Sequence, residues 1–399
     1  MPRVVIHRRD AIKVDKIYVD PSQNPFGNSW WANFDTGAAG YNGTDPAVPF
    51  ATNALAVAAA ATGDAIYLRG TAFNEAVSVA KAGLRFIGMG SNPNECVWTA
   101  PNDTVCAIIT AQNVLFRGIR FRPPAYNATV GSTCKVVNGT GTMTGSPVTL
   151  ALGANTPTIT VAGTFTVTLP YGCTATVATG GWTVTGSPVA CAAGTSTSFT
   201  AEAGGSSTVT ITVTANPAAI QLGVATNNVA AYCRIQKCRF QGKTGSYIAI
   251  YAPVPTDNVR VEECEFFYLN NITTVYGTAI LGVQDASYNA FSSWVIRGNE
   301  FKAPVQGIKL AGRGCIIENN NFAVNGLLAA GTMGAVTGSA GSKKMIDLRG
   351  NGHEAGCNDV HGNYLGGAYN NTLYFQGYSD DDWSGNFNIA GITTALPTT

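Results

Sequence analysis

An eight-residue motif returns six times along this chain, and that recurrence constrains the fold more than any other feature. The copies are VLFRGIRF (Val114 to Phe121), CRIQKCRF (Cys233 to Phe240), VRVEECEF (Val259 to Phe266), WVIRGNEF (Trp294 to Phe301), CIIENNNF (Cys315 to Phe322) and NDVHGNYL (Asn358 to Leu365). The third position is apolar throughout: Phe116, Ile235, Val261, Ile296, Ile317 and Val360. The last is aromatic or Leu in every copy, and the sixth runs Ile119, Cys238, Cys264, Asn299, Asn320, Asn363. Alternation at positions one and three and, after a break, at six and eight describes two short strands meeting at a corner. Such a corner needs a residue tolerant of left-handed backbone angles, which Gly-Asn or Asn-Asn supplies.

Further strands follow the motifs at Tyr247–Ile250, Ala279–Val283, Gly307–Leu310, Met345–Leu348 and Leu373–Phe375. One such unit cannot bury its apolar side alone. Stacking units along an axis buries it and pairs each backbone group with the coils above and below. Phe301 to Phe322 is 21 residues, the length of a bare coil; the intervals of 26, 35 and 43 residues are coils with loops added, or include one coil whose motif has decayed.

The G-N-x-F and N-N-x-F signatures resemble the parallel β-helix repeat of pectate-lyase-like proteins. The resemblance implies an all-β, right-handed parallel β-helix in which stacked Asn side chains form a corner ladder, here Asn299, Asn320 and Asn363. The opening third is similar to the same family. IYVDPS (Ile17 to Ser22) looks like its first strand, and PFATNALAVAAAATGDAIYLRG (Pro49 to Gly70) like its short N-terminal capping helix and first coil. EAVSVAKAGLRFIGMG (Glu75 to Gly90) looks like the second coil. Two cysteine copies depart from the Asn pattern, so the ladder is expected to be incomplete.

Residues 138–216 differ in composition: one acidic residue, Glu202, no Lys or Arg, and alternating Thr/Val strands such as TITVAGTFTVTLP. TGSPV occurs at Thr144–Val148 and again at Thr185–Val189. The segment reads as an immunoglobulin-like β-sandwich inserted in a coil loop. Similar TGSPV segments occur in phage virion proteins, which favours a phage origin; bacterial adhesins also carry Thr-rich sandwiches. The expected division is 1–137 for the cap and first coils, 138–216 for the insert, and 217–399 for the remaining coils and C-terminal cap.

Charged residues make up 12% of the chain, about half the usual share, and the net charge is +1, so the bulk electrostatics point to neither nucleic acid nor membrane. The exception is the start, where Arg3, Arg8, Arg9, Lys13 and Lys16 form either a solvated strand end or an arm for an acidic partner surface. No signal peptide or membrane-length apolar run is visible. The helix is expected to begin within about twenty residues, leaving no room for a preceding particle-binding domain. Ten cysteines show no CxxC pair; Cys173 and Cys191 are placed to bridge within the insert, and the others read mostly as free thiols facing a core.

Catalysis on this fold would use charged side chains on the outer face. The outward fourth column is Arg117, Gln236, Glu262, Arg297, Glu318, His361, and stacked coils let Glu262, Arg297 and Glu318 pair along it. Glu300 and Glu318 are the weak catalytic candidates; Glu263 and Glu265 are further carboxylates that stacking could bring into a pair. His361-Gly362 and Asp380-Asp381-Asp382 resemble polygalacturonase motifs in the wrong order. The spacing of His353, Cys357 and His361 admits zinc and the triple Asp admits calcium, but ladder pairing and a solvated turn explain both; no metal or cofactor is expected. Trp30 and Trp31 are candidates for stacking on sugars or seating a neighbour, with core packing of the cap equally open. The expected function is a virion structural protein, a homotrimeric spike or capsid decoration at the particle surface. Its expected partners are other virion proteins and, as a further ligand class, host surface glycans. A phage tailspike depolymerase and a bacterial surface adhesin or polysaccharide lyase are the alternatives.

Overall fold

A computed structural model describes residues 29–33, 37–38, 40–90, 95–100, 105–122, 218–224, 226–241, 248–267, 278–282, 284, 289–302, 306–323, 345–349, 355–365 and 375–388, together with the backbone of strands between 133 and 215 and of 391–393. The basic start with Arg3, Arg8 and Arg9, and the opening segment 17–22, lie outside the described residues.

Three parallel sheets account for the solenoid. Sheet 1 stacks Ser29–Asn33, Ala65–Asn74, Arg85–Gly88, Leu115–Arg117, Arg234–Gln236, Arg260–Glu262, Val295–Arg297, Ile316–Glu318, Asp359–His361 and Asp382–Ser384. Sheet 2 begins in the second half of Ala65–Asn74. It continues through Cys96–Thr99, Arg120–Arg122, Arg239–Gln241, Glu265–Phe267, Glu300–Lys302, Asn321–Ala323, Tyr364–Leu365 and Asn386–Asn388. Sheet 3 runs from Val77–Val79 and Ala107–Ile109 through Ala218–Leu222, Ile248–Ala252, Thr278–Gly282, Gln306–Lys309 and Ile346–Asp347 to Phe375–Gln376. Each coil visits the sheets in that order. The fold is a parallel β-helix.

The motif columns become columns of the core. Phe116, Ile235, Val261, Ile296, Ile317 and Val360 are all fully buried and stand in unbroken register. Register adds Phe86 below them and Trp383 above, extending the repeat at both ends. At the eighth position an aromatic stack climbs sheet 2: Trp98, Phe121, Phe240, Phe266, Phe301, Phe322. Its successive ring centroids lie 5.7, 5.3, 4.9, 4.8 and 4.6 Å apart. Offset stacking adds about 0.5–1.5 kcal/mol per pair to the area each ring buries.

Position six carries the Asn ladder, and it is one rung longer than the sequence motif indicates. The Oδ1 of Asn320 accepts from the backbone N–H of Asn299 (3.0 Å) and from its Nδ2 (2.9 Å). Asn363 does the same for Asn320, and Asn386 for Asn363. Below Asn299 the column passes to Cys264 and Cys238, whose thiols donate to backbone carbonyls. Burial raises the Cys264 thiol well above its ordinary range. The thiol serves there as a small apolar filler with a weak donor.

The triple Asp is not a solvated turn throughout. Asp381 is buried at motif position one, where its Oδ1 accepts from the backbone N–H and Nδ2 of Asn358, both at 2.9 Å, and its Oδ2 from the N–H of Tyr378. Asn358 in turn accepts from the N–H of Cys315 at 2.9 Å, so a second, shorter polar ladder runs beside the first. A carboxylate serves at this last rung because the groups that meet it, on Asn358 and Tyr378, are N–H donors. Desolvation raises the Asp381 pKa, against the lowering effect of those hydrogen bonds.

Two left-handed residues bracket the motif on nearly every coil. At position five they are Gly118, Lys237, Glu263, Gly298, Asn319, Gly362 and Gly385; immediately before position one they are Gly83, Asn113, Tyr232, Asn258, Ser293, Gly314 and Cys357. The solenoid bends at these points, and side chains occur there despite the steric cost.

The helix Asn53–Ala59 caps the core at the N-terminal end, as its pattern predicts. Thr52 caps it through Leu55, and the Glu75 carboxylate accepts from the N–H groups of Asn53 and Ala54. Lys81 donates to the carbonyls of Val57, Ala58 and Ala60 at the other end, so both orphan ends are satisfied. At the far end of sheet 2, Gly391–Thr393 pairs antiparallel with Asn386–Asn388.

Between Arg122 and Ala218 the strands pair antiparallel. Thr133–Asn138, Gly141–Thr142, Val148–Thr149, Gly163–Thr168, Val184–Thr185 and Ser196–Ala201 make one sheet; Gly153–Asn155, Thr158–Ile159, Cys173–Thr179, Val189–Cys191 and Ser207–Ala215 make another. This pairing begins at Thr133, before the composition changes at 138. In chain order the segment sits between a sheet 2 strand and a sheet 3 strand.

Candidate functional site: the outward face of sheet 1

Two outward columns line this face. The fourth motif position, extended by register, reads Trp31, Tyr67, Ile87, Arg117, Gln236, Glu262, Arg297, Glu318, His361, Ser384. The second position reads Arg85, Leu115, Arg234, Arg260, Val295, Ile316, Asp359, Asp382 on the same strands. Coils repeat about every 4.8 Å, so each neighbour in a column is within side-chain reach of the next.

The fourth column is knitted together by charge. Gln236 Nε2 donates to Glu262 Oε2 at 2.6 Å, and Arg297 lies 2.7 Å from Glu262 Oε1 and 3.9 Å from Glu318. His361 continues the chain, its Nε2 3.1 Å from Glu318 Oε2 and its Nδ1 2.7 Å from Asp359 Oδ1. The hydrogen bond to Asp359 is the main cause of a raised His361 pKa, with Glu318 adding to it. The pairing expected of Glu262, Arg297 and Glu318 is present and reaches one coil further.

Glu300, the other weak catalytic candidate, stands on sheet 2 rather than beside Glu318. There it pairs with Lys302 at 3.0 Å, which also pairs with Glu265 at 2.9 Å, and Arg239 completes the group at 2.8 Å from Glu265. Each candidate carboxylate is thus held by cations of its own sheet.

The two tryptophans part company. Trp30 packs against the core, stacks on Phe50 and donates its Nε1 proton to Asp64 Oδ2 at 2.7 Å. Trp31 faces outward and stacks on Tyr67, with centroids 4.8 Å apart and planes 22° from parallel. Trp31 and Tyr67 make a half-exposed aromatic platform at the foot of the fourth column. Tyr67 escaped the sequence reading because only strand register places it against Trp31.

Arg117, Arg234 and Arg260 are exposed on three successive coils, with no ion pair among the described residues. The second column holding two of them was not recognised in the sequence, because positions two and four both point outward and only the fourth was aligned. Of the zinc spacing, His353 lies outside the described residues, and no cluster of metal-binding side chains occurs among those described. Seven cysteines are described, all as free thiols; burial pushes Cys233 and Cys315 up to about 12, so neither is a nucleophile near neutral pH.

No family model matches the chain, and no curated protein matches it. Among solved structures it is similar to the pectate lyase Pel9A, at 10% identity over 87% of this chain and 65% of that one, with a TM-score of 0.46. It therefore spans less than two thirds of that protein's length. A pectin methylesterase from Aspergillus niger in deglycosylated form matches at 10% identity, 90% and 85% coverage and a TM-score of 0.38. A rhamnogalacturonan lyase matches at 9% identity, 93% and 90% coverage and a TM-score of 0.35. At these values the likenesses assign neither a family nor an activity.

Proposed function

We propose that the chain is a β-helical spike or decoration protein of a virus particle and acts by assembly and surface attachment. The observation that carries this reading is the sheet 1 face. The carboxylates of Glu262, Glu318 and Asp359 are engaged along the axis by Arg297 and His361, while exposed arginines and apolar side chains beside them offer a long contact surface. Charges already paired within the chain leave recognition to the groups beside them that have no such pair. The phage-like TGSPV segments of the insert support the particle as the location, with capsid or tail proteins as partners. Antibodies against the purified chain should label intact particles in electron micrographs. Particles that stay unlabelled, while the chain is found only in the soluble fraction of the lysate, would refute it.

A second reading, a polysaccharide depolymerase, draws on Glu318 placed between Arg297 and His361 in the column that has the Trp31–Tyr67 platform at its foot. Its test is release of oligosaccharide from host surface polysaccharide by the pure protein. Loss of that release in Glu318→Gln or Glu300→Gln would establish the enzyme in place of the attachment protein.

A further inference from the structure

We propose that the outward face of sheet 1 binds a second copy of this chain. The two solenoids pack antiparallel about a two-fold axis that runs along the strands, midway between the Val295 and Ile316 coils.

The proposal follows from the order of side chains up the second column. From Arg234 it reads two cations, two aliphatics, two anions: Arg234, Arg260, Val295, Ile316, Asp359, Asp382. The chain leaves Arg234, Arg260, Ile316 and Asp382 exposed and Val295 and Asp359 half-buried. A two-fold axis along the strands reverses the order of coils and keeps each column opposite itself. Val295 then meets the partner's Ile316, Arg260 the partner's Asp359, and Arg234 the partner's Asp382. Because the coils are evenly spaced, all three pairs form together with their symmetry mates.

The fourth column supplies an independent check, since nothing in the second column dictates its sequence. Under the same axis Arg297 faces the partner's Glu318, Glu262 faces the partner's His361, and Gln236 faces the partner's Ser384. Each charged position meets its opposite and the neutral pair meets itself. The existing intrachain pairs become four-membered networks rather than being broken.

Other registers fail. An axis through the Val295 coil sets Arg297 against its own copy, and one through the Ile316 coil sets Glu318 against its own. Moving the axis half a repeat further in either direction buries Arg260 against Val295 or Asp359 against Ile316, leaving a charge on an apolar surface. A three-fold arrangement about the solenoid axis, if this face lined it, would bring equal coils together and set Arg260 beside Arg260. That is a different assembly from the trimer implied by the family resemblance, and experiment separates the two.

The surface is accessible in the way such a contact requires. The two longest insertions, Arg122 to Ala218 and Ala323 to Ile346, leave sheet 2 and return at sheet 3, and from Leu115–Arg117 onward sheets 1 and 2 are joined by a one- or two-residue corner. Six coils span about 24 Å, a contact at the small end of specific interfaces, so the association is weak and salt-sensitive. The inference does not rest on the virus-particle reading, because self-association is measured on the isolated chain.

Sedimentation of the full chain over a range of concentrations should show a monomer–dimer equilibrium that salt shifts towards monomer. Arg234→Asp or Asp382→Arg alone should weaken it about tenfold or more, since each sets like charges face to face. The double swap Arg234→Asp with Asp382→Arg should restore it. In a Cys357→Ser background, mixing Val295→Cys protein with Ile316→Cys protein should give an interchain disulfide between the two, in preference to either with itself. A chain monomeric at all concentrations, a trimer indifferent to these reversals, or a double swap no better than the singles would overturn the proposal.

Discussion

Lys237 and Glu263 occupy the same corner on adjacent coils, both in the left-handed region at φ 52° and 54°, with Nζ and Oε2 3.3 Å apart. The corner thus takes side chains where the other copies use glycine or asparagine, and the two that lack a small residue face one another as an ion pair. Both are more than half exposed, so the pair itself contributes little.

The glycine corners differ in how much space a side chain would find. A Cβ on Gly298 would meet only the Glu263 side chain at 3.8 Å, whereas on Gly362 it would lie 2.8 Å from Asn319 Oδ1. Gly298→Ala should cost about 1–2 kcal/mol, the left-handed penalty alone. Gly362→Ala should cost more, because Asn319 must also move. Thermal unfolding of the two variants measures the difference; equal losses would refute the steric account.

Removing one amide from the ladder should be costly in a way that polarity predicts. Asn320→Ala takes away the acceptor shared by the N–H and Nδ2 of Asn299, leaving two buried donors unmatched. At about 1–3 kcal/mol per orphaned group, the loss is about 2–6 kcal/mol. Asn363→Ala should behave alike, while Cys264→Ala, which removes only weak thiol donors, should cost less. Denaturant titrations of the three proteins provide the ranking.

Ile296 and Ile317 are fully buried and directly stacked, as the column alignment predicts. Either Ile→Ala change should cost about 2–5 kcal/mol by combined transfer and cavity terms. The pair should be non-additive because the two cavities merge. A double variant whose loss equals the sum of the singles would argue against direct contact.

His361 gains partners on folding, so its folded pKa lies above the ordinary value of 6.5. Its contribution to stability is therefore complete below the unfolded pKa and is lost as pH rises through the folded one. In a proton-NMR titration the His361 ring should titrate above a free histidine, and Asp359→Asn should move it back down. An unchanged midpoint in that variant would remove Asp359 as the cause.

In the insert, Cys173 and Cys191 are directly opposed on adjacent antiparallel strands. Directly opposed residues have Cβ atoms about 4.5–5.5 Å apart, close to disulfide range. Air oxidation followed by peptide mapping should join these two and leave the solenoid thiols reduced.

How much of this was legible in the sequence depended on what each position is asked to do. Ile317 and Phe322 had to be apolar, so their columns stood out. Asp381 did not stand out, because an acceptor can be Asn or Asp and three acids in a row suggest solvent. Strand ends from Ile248–Ala252 to Phe375–Gln376 differ from the predicted ones by one or two residues, since hydrophobic pattern locates a strand better than its limits. Arg234 and Asp382 were invisible as partners, because charge order along a solenoid exists only once coils are in register. The insert's antiparallel pairing was legible from Thr/Val alternation; an immunoglobulin-like topology stays an expectation.

The corner between sheets 2 and 3 has one more consequence. Chain can be added there without altering the pitch of the rod, because the strands on either side are already fixed by their neighbours above and below. Such a protein has a shaft and a socket in each turn: the shaft is conservative by geometry, and whatever is plugged into the sockets is free to be exchanged. A change of cargo at Arg122–Ala218 would alter what the rod presents while the stacking of its coils stays as it is.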